Sequence, residues 1–406
     1  MKQFYRDYKS GNLVYYSLEK PRSSSNTKNM SAANHLRRIF NAKPSINAAT
    51  STVFRRGSYE TPEGLRSVVD NFKDLCECKQ FRRTANMYSA TVRRLVKAQA
   101  FPMIEEILEH QKKYDDISSE GFVIRLISLY GKARMFDHAR ALFDEMPSFN
   151  TPRSAKSLTA LLNAAITAKR YDTVPELFRK LHSQQSIKVD TPVYNVVVNA
   201  YCKMGSTDSA LSMLREMEEL GLEPNLFTFN TLLHGFYQQH GFAEGEKIWS
   251  MMQARGNVSP DVVSYMLKMK AVIGDGGVTE AVKVVDEMRG NGVEPDVRFF
   301  SLLIESFCRD GKVEEAKYWY HEMVRCGCVA GPATYGALVP FLCKKGDFDL
   351  AFKLCKDAIG GRSLLIGEGA LKRVVEALVA EGRVGEAEKL VGLARKKNLK
   401  IDLTTP

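Results

Sequence analysis

A pattern of small and large apolar residues returns every 35 or 36 residues along most of this chain of 406 residues. The small member stands at Ala139, Ala210, Gly245, Ala281, Ala316, Ala351 and Ala387. Methionine follows seven residues after five of them, at Met146, Met217, Met252, Met288 and Met323. The pattern predicts tandem units that begin at residues 85, 120, 155, 191, 226, 262, 297, 332 and 368.

The stretch Thr191–Asn225 shows what one unit contains. Apolar residues recur at helical spacing on both sides of Gly205, and Pro224 ends the second run. One pair of short helices cannot bury its apolar face alone, so neighbouring units must stack against it. The sequence therefore predicts an all-α solenoid of about nine helix-turn-helix units over 85–402, with a helical cap over 58–84 and a tail at 403–406.

The positive charge of the chain is concentrated at its N-terminus. Residues 1–57 hold eleven Lys or Arg against Asp7 and Glu19, whereas the remaining 349 residues carry a net charge of only +2. From Met30 the segment is rich in Arg, Ser and Ala, which is typical of a mitochondrial transit peptide rather than a chloroplast one. We predict a disordered transit segment over 1–57, cleaved near Arg55–Ser58, with Met30 as the candidate true start. A plain basic tail is the alternative.

No motif of catalysis stands out in the sequence. The eight cysteines and seven histidines lack zinc-ligand spacing, so we expect unpaired thiols in a reducing compartment and no metal. A phosphate-binding loop, a zinc-protease helix and a deaminase motif are not found. We therefore predict a protein that is not an enzyme and needs no cofactor. No apolar run has the length of a membrane span, which predicts no membrane contact.

The ends and beginnings of the units carry a family resemblance. Units close with Pro224-Asn225, Pro260-Asp261 or Pro295-Asp296 and open with an aromatic-polar pair such as Tyr194-Asn195 or Phe229-Asn230. The chain resembles the pentatricopeptide repeat (PPR) family, in particular its P-type members from plant organelles. The tetratricopeptide pattern, with its 34-residue period, is not found. The resemblance implies a right-handed superhelical α-solenoid that binds RNA.

The resemblance also implies which residues contact RNA bases. In this family the fifth and last residues of a unit select one base, and the second residue packs against it. The implied pairs are Thr159 with Asp190 for G, Asn195 with Asn225 for a pyrimidine, Asn230 with Asp261 for U, and Met266 with Asp296. In the last pair, the sulfur of Met266 is a poor hydrogen-bond partner. Phe227 and Val263 would supply the apolar second positions. A purely structural role is the alternative, because Asn and Asp also cap helices.

The expected partners follow from this resemblance. They are RNA, either messenger or ribosomal, and mitochondrial ribosomal proteins, because the segment Arg153–Leu162 and the repeat number resemble short PPR proteins of the plant mitochondrial ribosome. Basic clusters near residues 79–97 and 395–400 could grip structured RNA or be solvated surface. A protein-interaction adaptor with little RNA contact is the competing hypothesis. We expect a monomer outside any assembly.

Overall fold

The computed structural model describes residues 61–185, 187–239, 241–275, 277–360 and 366–397. The predicted transit segment, Met30, the cleavage site and the tail at 403–406 lie outside these residues. All regular elements within them are helices, which confirms the predicted all-α fold. The chain divides into two compact units, Met1–Lys113 and Tyr114–Pro406.

The described part of the first compact unit contains four helices: α1 (Pro62–Cys76), α2 (Lys79–Arg82), α3 (Ala85–Lys97) and α4 (Phe101–Glu109). Helix α1 begins after Thr61, whose side chain accepts a hydrogen bond from Gly64 N at 3.2 Å. The ring of Phe72 packs edge-on against Tyr88, with 4.9 Å between centroids. Helices α1 and α2 occupy the segment that the sequence predicts to be helical; its role as a cap stays a prediction.

The second compact unit is a series of helix pairs. Its first helices are α5 (Glu120–Lys132), α7 (Ala155–Thr167), α9 (Thr191–Met204), α11 (Leu226–Gln239), α13 (Val262–Asp275), α15 (Val297–Arg309), α17 (Pro332–Lys344) and α19 (Glu368–Ala380). Its second helices are α6 (Phe136–Glu145), α8 (Thr173–Gln185), α10 (Thr207–Glu219), α12 (Gly241–Ala254), α14 (Val278–Gly290), α16 (Val313–Arg325), α18 (Phe348–Gly360) and α20 (Val384–Lys396). Short 3₁₀ turns lie at His110–Lys113, Asp115–Ser118 and Met146–Phe149.

The first helices follow the repeat pattern of the sequence. Helix α3 and the eight first helices begin at the nine residues where the period places its unit starts. We number these repeats one to nine from residue 85. The assignment of 85–402 to a single repeat domain stays a prediction.

The core between first and second helices has a layer of small residues and a layer of large ones. The seven small residues of the pattern are buried, and the five methionines are 0 % exposed. A Cβ atom at Gly245 would lie 2.0 Å from the Tyr237 ring, so only glycine fits there. Trp249 and Trp319 are buried beside this layer and belong to the core. Small residues let the helices approach closely, and methionine fills the space beyond.

The turn inside each repeat uses a left-handed backbone position. Glycine fills it in the later described repeats, for example Gly205 with φ of 75° and Gly346 with φ of 83°. In repeats one to three the same place holds Gln99, Arg134 and Lys169, with φ between 55° and 63°. Residues with a Cβ are strained there, so the first three turns are less favourable than the later ones.

Candidate nucleic-acid interface

The last residue of a central repeat caps the first helix of the next. Asp190 Oδ1 accepts from Val193 N at 3.2 Å, and Asp261 Oδ1 accepts from Ser264 N at 2.9 Å. Asp296 Oδ1 accepts from Phe299 N in the same way, at 3.1 Å. These contacts satisfy backbone donors that a helix start leaves open. The structural role that the sequence left as an alternative is therefore present.

The fifth residue of repeat four joins this capping site. Asn195 is 4 % exposed, and its Oδ1 accepts from the hydroxyl of Thr228 at 2.7 Å. Thr228 is the third residue of repeat five, and its N–H donates to Asn225 Oδ1 at 3.1 Å. The predicted pair Asn195 and Asn225 thus meets through one hydroxyl of the following repeat.

Nearly the same arrangement is found at the fifth residue of repeat five. Ser264 Oγ donates to Asn230 Oδ1 at 2.6 Å, and Asn230 Nδ2 donates to Asp261 Oδ1 at 3.3 Å. Asn230 is partly exposed, whereas Ser264 is buried. The predicted pair Asn230 and Asp261 is therefore in direct contact.

The other two predicted pairs are not joined in this way. The hydroxyl of Thr159 donates to Ala155 O of its own helix at 2.7 Å. It has no polar partner in the next repeat, because the third residue there is Val193. Met266 is half-buried and offers no donor, and the second carboxylate oxygen of Asp296 accepts from Arg298 Nε at 2.8 Å. Of these four predicted pairs, the structure thus brings the fifth and last residues together in repeats four and five.

Apolar side chains flank the two amides. Phe227, the second residue of repeat five, is 59 % exposed, which is unusual for so large an apolar side chain. Val263, the second residue of repeat six, is only partly exposed. Such faces favour stacking of a nucleic-acid base. Their role in binding stays a prediction.

Exposed basic side chains at position thirteen of the repeats were missed by the sequence reasoning, which counted charge by segment. They are Lys132, Lys203, Arg309 and Lys344, each near the end of a first helix, whereas Lys97 at the same position of α3 belongs to the basic cluster already predicted at residues 79–97. Lys132, Lys203 and Lys344 make no ion pair with any carboxylate of the described residues. Their spacing in whole repeats was the signal that could have found them. Unpaired cations at repeated positions are suited to the phosphates of a nucleic-acid strand.

His234 lies close enough to two lysines on neighbouring first helices, Lys203 and Lys270, to feel their charges. Burial lowers the pKa of His234, and the charges of Lys203 and Lys270 lower it further. The imidazole is therefore held in its neutral form near neutral pH. A bound anion at this place would oppose the two lysines and favour protonation.

The layer of first helices is interrupted once within Tyr114–Pro406. Consecutive first helices from α5 to α13 pack against each other, and so do those from α15 to α19, but α13 and α15 make few or no close contacts. Repeats six and seven meet instead through α14, which packs against α15, and Lys312, in the turn before α16, donates from Nζ to Thr279 Oγ1 at 2.7 Å. The interruption follows repeat six, so the paired amides of repeats four and five lie close to the end of one continuous layer.

Two buried thiols and the half-buried thiol of Cys308 have the properties of core residues. Burial raises the pKa of Cys202, of Cys308 and of Cys355 to about 12. These thiols are protonated at neutral pH and are poor nucleophiles and metal ligands. Among the described residues no group of His, Cys, Asp or Glu could hold a metal ion. Of the described helices, none has the length and apolar character that a bilayer crossing requires.

Stacked helix pairs that meet through capping residues define a tandem helical-repeat protein. Family models for the pentatricopeptide repeat match residues 189–238, 291–324, 125–151 and 227–257. The chain therefore contains pentatricopeptide repeats, as the unit boundaries predict.

Named relatives come from Arabidopsis thaliana. The small ribosomal subunit protein mS78 (rPPR3a) is 46 % identical over 157 residues, or 39 % of this chain and 39 % of that protein. The small ribosomal subunit protein mL103 (rPPR7) is 29 % identical over 87 % of this chain and 84 % of its own length. A pentatricopeptide repeat-containing protein named as mitochondrial is 31 % identical over 48 % of this chain and 55 % of its own length. Two of these relatives are named as ribosomal proteins and one as mitochondrial, which agrees with the predicted resemblance to PPR proteins of the mitochondrial ribosome.

The match to the mS78 protein spans about two fifths of that protein's length. Among solved structures, that of the maize pentatricopeptide repeat protein PPR10 aligns with a TM-score of 0.47 and 18 % identity. The alignment covers 90 % of this chain and 61 % of the maize chain.

Proposed function

We propose that this protein binds RNA along its first helices in mitochondria, as a non-catalytic component of the small ribosomal subunit. It supports translation by holding ribosomal RNA and ribosomal proteins, rather than by transforming a substrate. The names of the relatives support the ribosomal assignment, and the geometry of repeats four and five supports the RNA contact.

The single observation that carries the RNA contact is the pair of amides at Asn195 and Asn230. Each stands at position five on neighbouring packed helices, with the exposed ring of Phe227 at the start of the second of these helices. Amide groups beside an aromatic face suit a base that stacks and hydrogen-bonds at once. Lys203, the exposed residue at position thirteen of the first of these helices, adds a site for a phosphate.

The limited number of such positions favours a structural RNA over a chosen transcript. Only Thr159, Asn195 and Asn230 form a consecutive run with base-reading side chains. A G-pyrimidine-U triplet is too short to single out one transcript. A protein inside a ribosomal subunit needs no such selectivity, because its neighbours fix its position.

Sedimentation of mitochondrial extract tests the ribosomal assignment. A tagged full chain should migrate with the small subunit and return to light fractions when the subunit is dissolved by nuclease. Migration with free transcript particles would identify a transcript-specific factor. If the tagged chain stayed in the light fractions of every gradient, the ribosomal assignment would be rejected.

Substitution separates RNA binding from the competing adaptor function. Changing Thr159, Asn195 and Asn230 together to Ala should lower RNA crosslinking in mitochondria while the helical circular dichroism is retained. The matched control is Ser212→Ala with Ser250→Ala, because these hydroxyls lie on second helices and bond only their own backbone. Unchanged RNA crosslinking in the triple variant would favour the adaptor.

A further inference from the structure

Four repeats carry a hydroxyl at their third residue, and each is fully buried. They are Ser157, Thr228, Ser264 and Thr334, each 0 % exposed. Three of them contact the fifth residue of the preceding repeat: Thr228 with Asn195 at 2.7 Å, Ser264 with Asn230 at 2.6 Å and Thr334 with Ser301 at 2.8 Å. A buried hydroxyl needs such partners, because an unpaired one costs stability.

The hydroxyl hydrogen of Thr228 has two acceptors within reach, and one of them is favoured. Asn225 N donates to Thr228 Oγ1 at 3.1 Å, so one lone pair of the hydroxyl is in use. The hydroxyl has a single hydrogen, and Asn195 Oδ1 at 2.7 Å is closer than Asn225 Oδ1 at 3.2 Å. The hydroxyl therefore donates to the Asn195 oxygen. The Asn195 amide is left with its N–H groups as the groups available to a ligand.

The same hydrogen bonds hold Asn230, with one addition. Asp261 N donates to Ser264 Oγ at 3.1 Å, and Ser264 donates to Asn230 Oδ1. The carboxylate of Asp261 also accepts from Asn230 Nδ2 at 3.3 Å. A reversed amide would place its oxygen against the carboxylate, which is repulsive. The second hydrogen of Nδ2 stays available.

We propose that Thr228 and Ser264 are positioning residues for base selection by the preceding repeat. Each fixes the Asn195 or Asn230 amide in the orientation that offers hydrogen-bond donors and withdraws the acceptor. The amide then selects a base edge that presents a carbonyl oxygen, as pyrimidines do at O2. This inference rests on the proposed RNA binding and adds the residues that set its specificity.

Other repeats show that the contact forms only when both partners are polar. Where the preceding fifth residue is Ile124, Ser157 Oγ donates instead to its own Ser154 O at 3.0 Å. Where the third residue is Val193, the Thr159 hydroxyl returns to its own helix. Ser157 is therefore a matched control, since it is an equally buried hydroxyl at the same position with no amide to orient.

The test measures base preference at a single position. Synthetic RNAs share one sequence built around G-pyrimidine-U and carry U, C, A or G opposite repeat four. Their dissociation constants are measured for the wild-type chain, Thr228→Val, Thr228→Ser and Ser157→Ala. We expect the wild type to prefer pyrimidines by about tenfold, the effect of one directed hydrogen bond. Thr228→Val should reduce the preference to about twofold or less, whereas Thr228→Ser and Ser157→Ala should keep it.

The outcomes separate the two proposals. A wild-type chain that binds none of the RNAs overturns the proposed function, and one that binds all four equally overturns base selection at repeat four. A wild-type preference that survives in Thr228→Val overturns the positioning role alone. If Thr228→Val loses its helical circular dichroism, the smaller change Thr228→Ala decides, measured with the same RNAs. Loss of preference there supports the inference, and retention overturns it.

Discussion

The hydroxyl of Thr228 donates to the amide oxygen of Asn195 at 2.7 Å, across 33 residues of sequence. Both side chains are buried, at 0 % and 4 % exposure. The bond joins two consecutive repeats at the point where the second begins. One contact therefore links the cap of a helix to the side chain that the proposed function places against RNA.

Removing either partner of this bond should destabilise the chain. Asn195→Ala or Thr228→Val should each lower the free energy of unfolding by about 1–3 kcal/mol, because the remaining group loses a buried partner. The double variant should cost less than the sum of the two by about 1 kcal/mol. Chemical denaturation of the four proteins measures the coupling.

The control for this cycle is Asn195→Ala combined with Ser264→Ala. These residues share no contact, so their effects should add within about 0.5 kcal/mol. Additivity in the Asn195 and Thr228 cycle as well would mean that the bond contributes nothing to stability.

The lysines at position thirteen should contribute affinity without sequence preference. Changing Lys132, Lys203 and Lys344 to Ala should weaken binding to all single-stranded RNAs alike, because phosphates carry no base identity. The slope of log affinity against log salt should shrink by about 0.7 for each lysine that contacts a phosphate. The control is Lys283→Ala on α14, whose lysine is 75 % exposed and pairs with Glu280. An equal effect of that control would remove the special role of position thirteen.

The strained turn of repeat three should be improved by glycine. Lys169 has φ of 63°, a region that costs a residue with a Cβ roughly 1 kcal/mol. Lys169→Gly should therefore raise the unfolding free energy by about 0.5–1 kcal/mol, after the added flexibility of the unfolded chain is counted. The reverse change, Gly205→Ala, should lower it, and thermal melts of both variants show whether the signs are opposite.

The small layer of the core should reject a single methyl group at repeat five. Gly245→Ala places a Cβ 2.0 Å from the Tyr237 ring, and overpacking of this kind costs about 1–3 kcal/mol. Gly392→Ala lies inside α20 with nothing within 4 Å of the added Cβ, so it should stabilise by about 0.5–1 kcal/mol. Denaturation midpoints that move the same way in both variants would contradict this packing argument.

RNA binding should strengthen as the pH falls, through His234. Its pKa is lowered by burial and by Lys203 and Lys270, and bound phosphate raises it again. Affinity should therefore increase between about pH 7 and pH 5.5, near the ordinary histidine range, and His234→Gln should lack the increase. The exposed His321 on α16 gives the control variant His321→Gln, which should behave as wild type.

The lowered pKa of His234 has the opposite effect on the stability of the protein without RNA, which should fall as the pH falls. The unfolded chain protonates His234 near pH 6.5, before the folded chain does. The contribution of His234 to stability is complete above this pH and is lost as the pH falls through the lowered pKa of the folded state. If His234→Gln lost stability with falling pH as steeply as the wild type, this contribution of His234 would be contradicted.

Most of the fold could be predicted because its signals are local and repeated. The small residue, the methionine and the turn glycine each recur in register, and each acts within one helix pair. Buried Trp249 and Met217 follow from that pattern alone. The left-handed turns at Arg134 and Lys169 could not be predicted, since neither residue favours that conformation and only the packing of the flanking helices imposes it.

The candidate site could be predicted only in part. The resemblance points to Asn195 and Asn230 by position, yet their partners come from the next repeat, more than 30 residues away. Whether a third-position hydroxyl turns outward to an amide or back to its own backbone depends on the residue in the preceding repeat. Ser157 and Ser264 look alike in sequence and differ in structure for that reason.

Because each anchored amide is held by a hydroxyl of the repeat that follows it, the two ends of the array are not equivalent. Loss of a repeat from the C-terminal side would also disable the intact amide just before the cut, since its anchoring hydroxyl would be gone. Loss from the N-terminal side would leave each remaining amide anchored. An array joined in this way has one fewer anchored position than it has folded repeats, so damage at its two ends has unequal consequences.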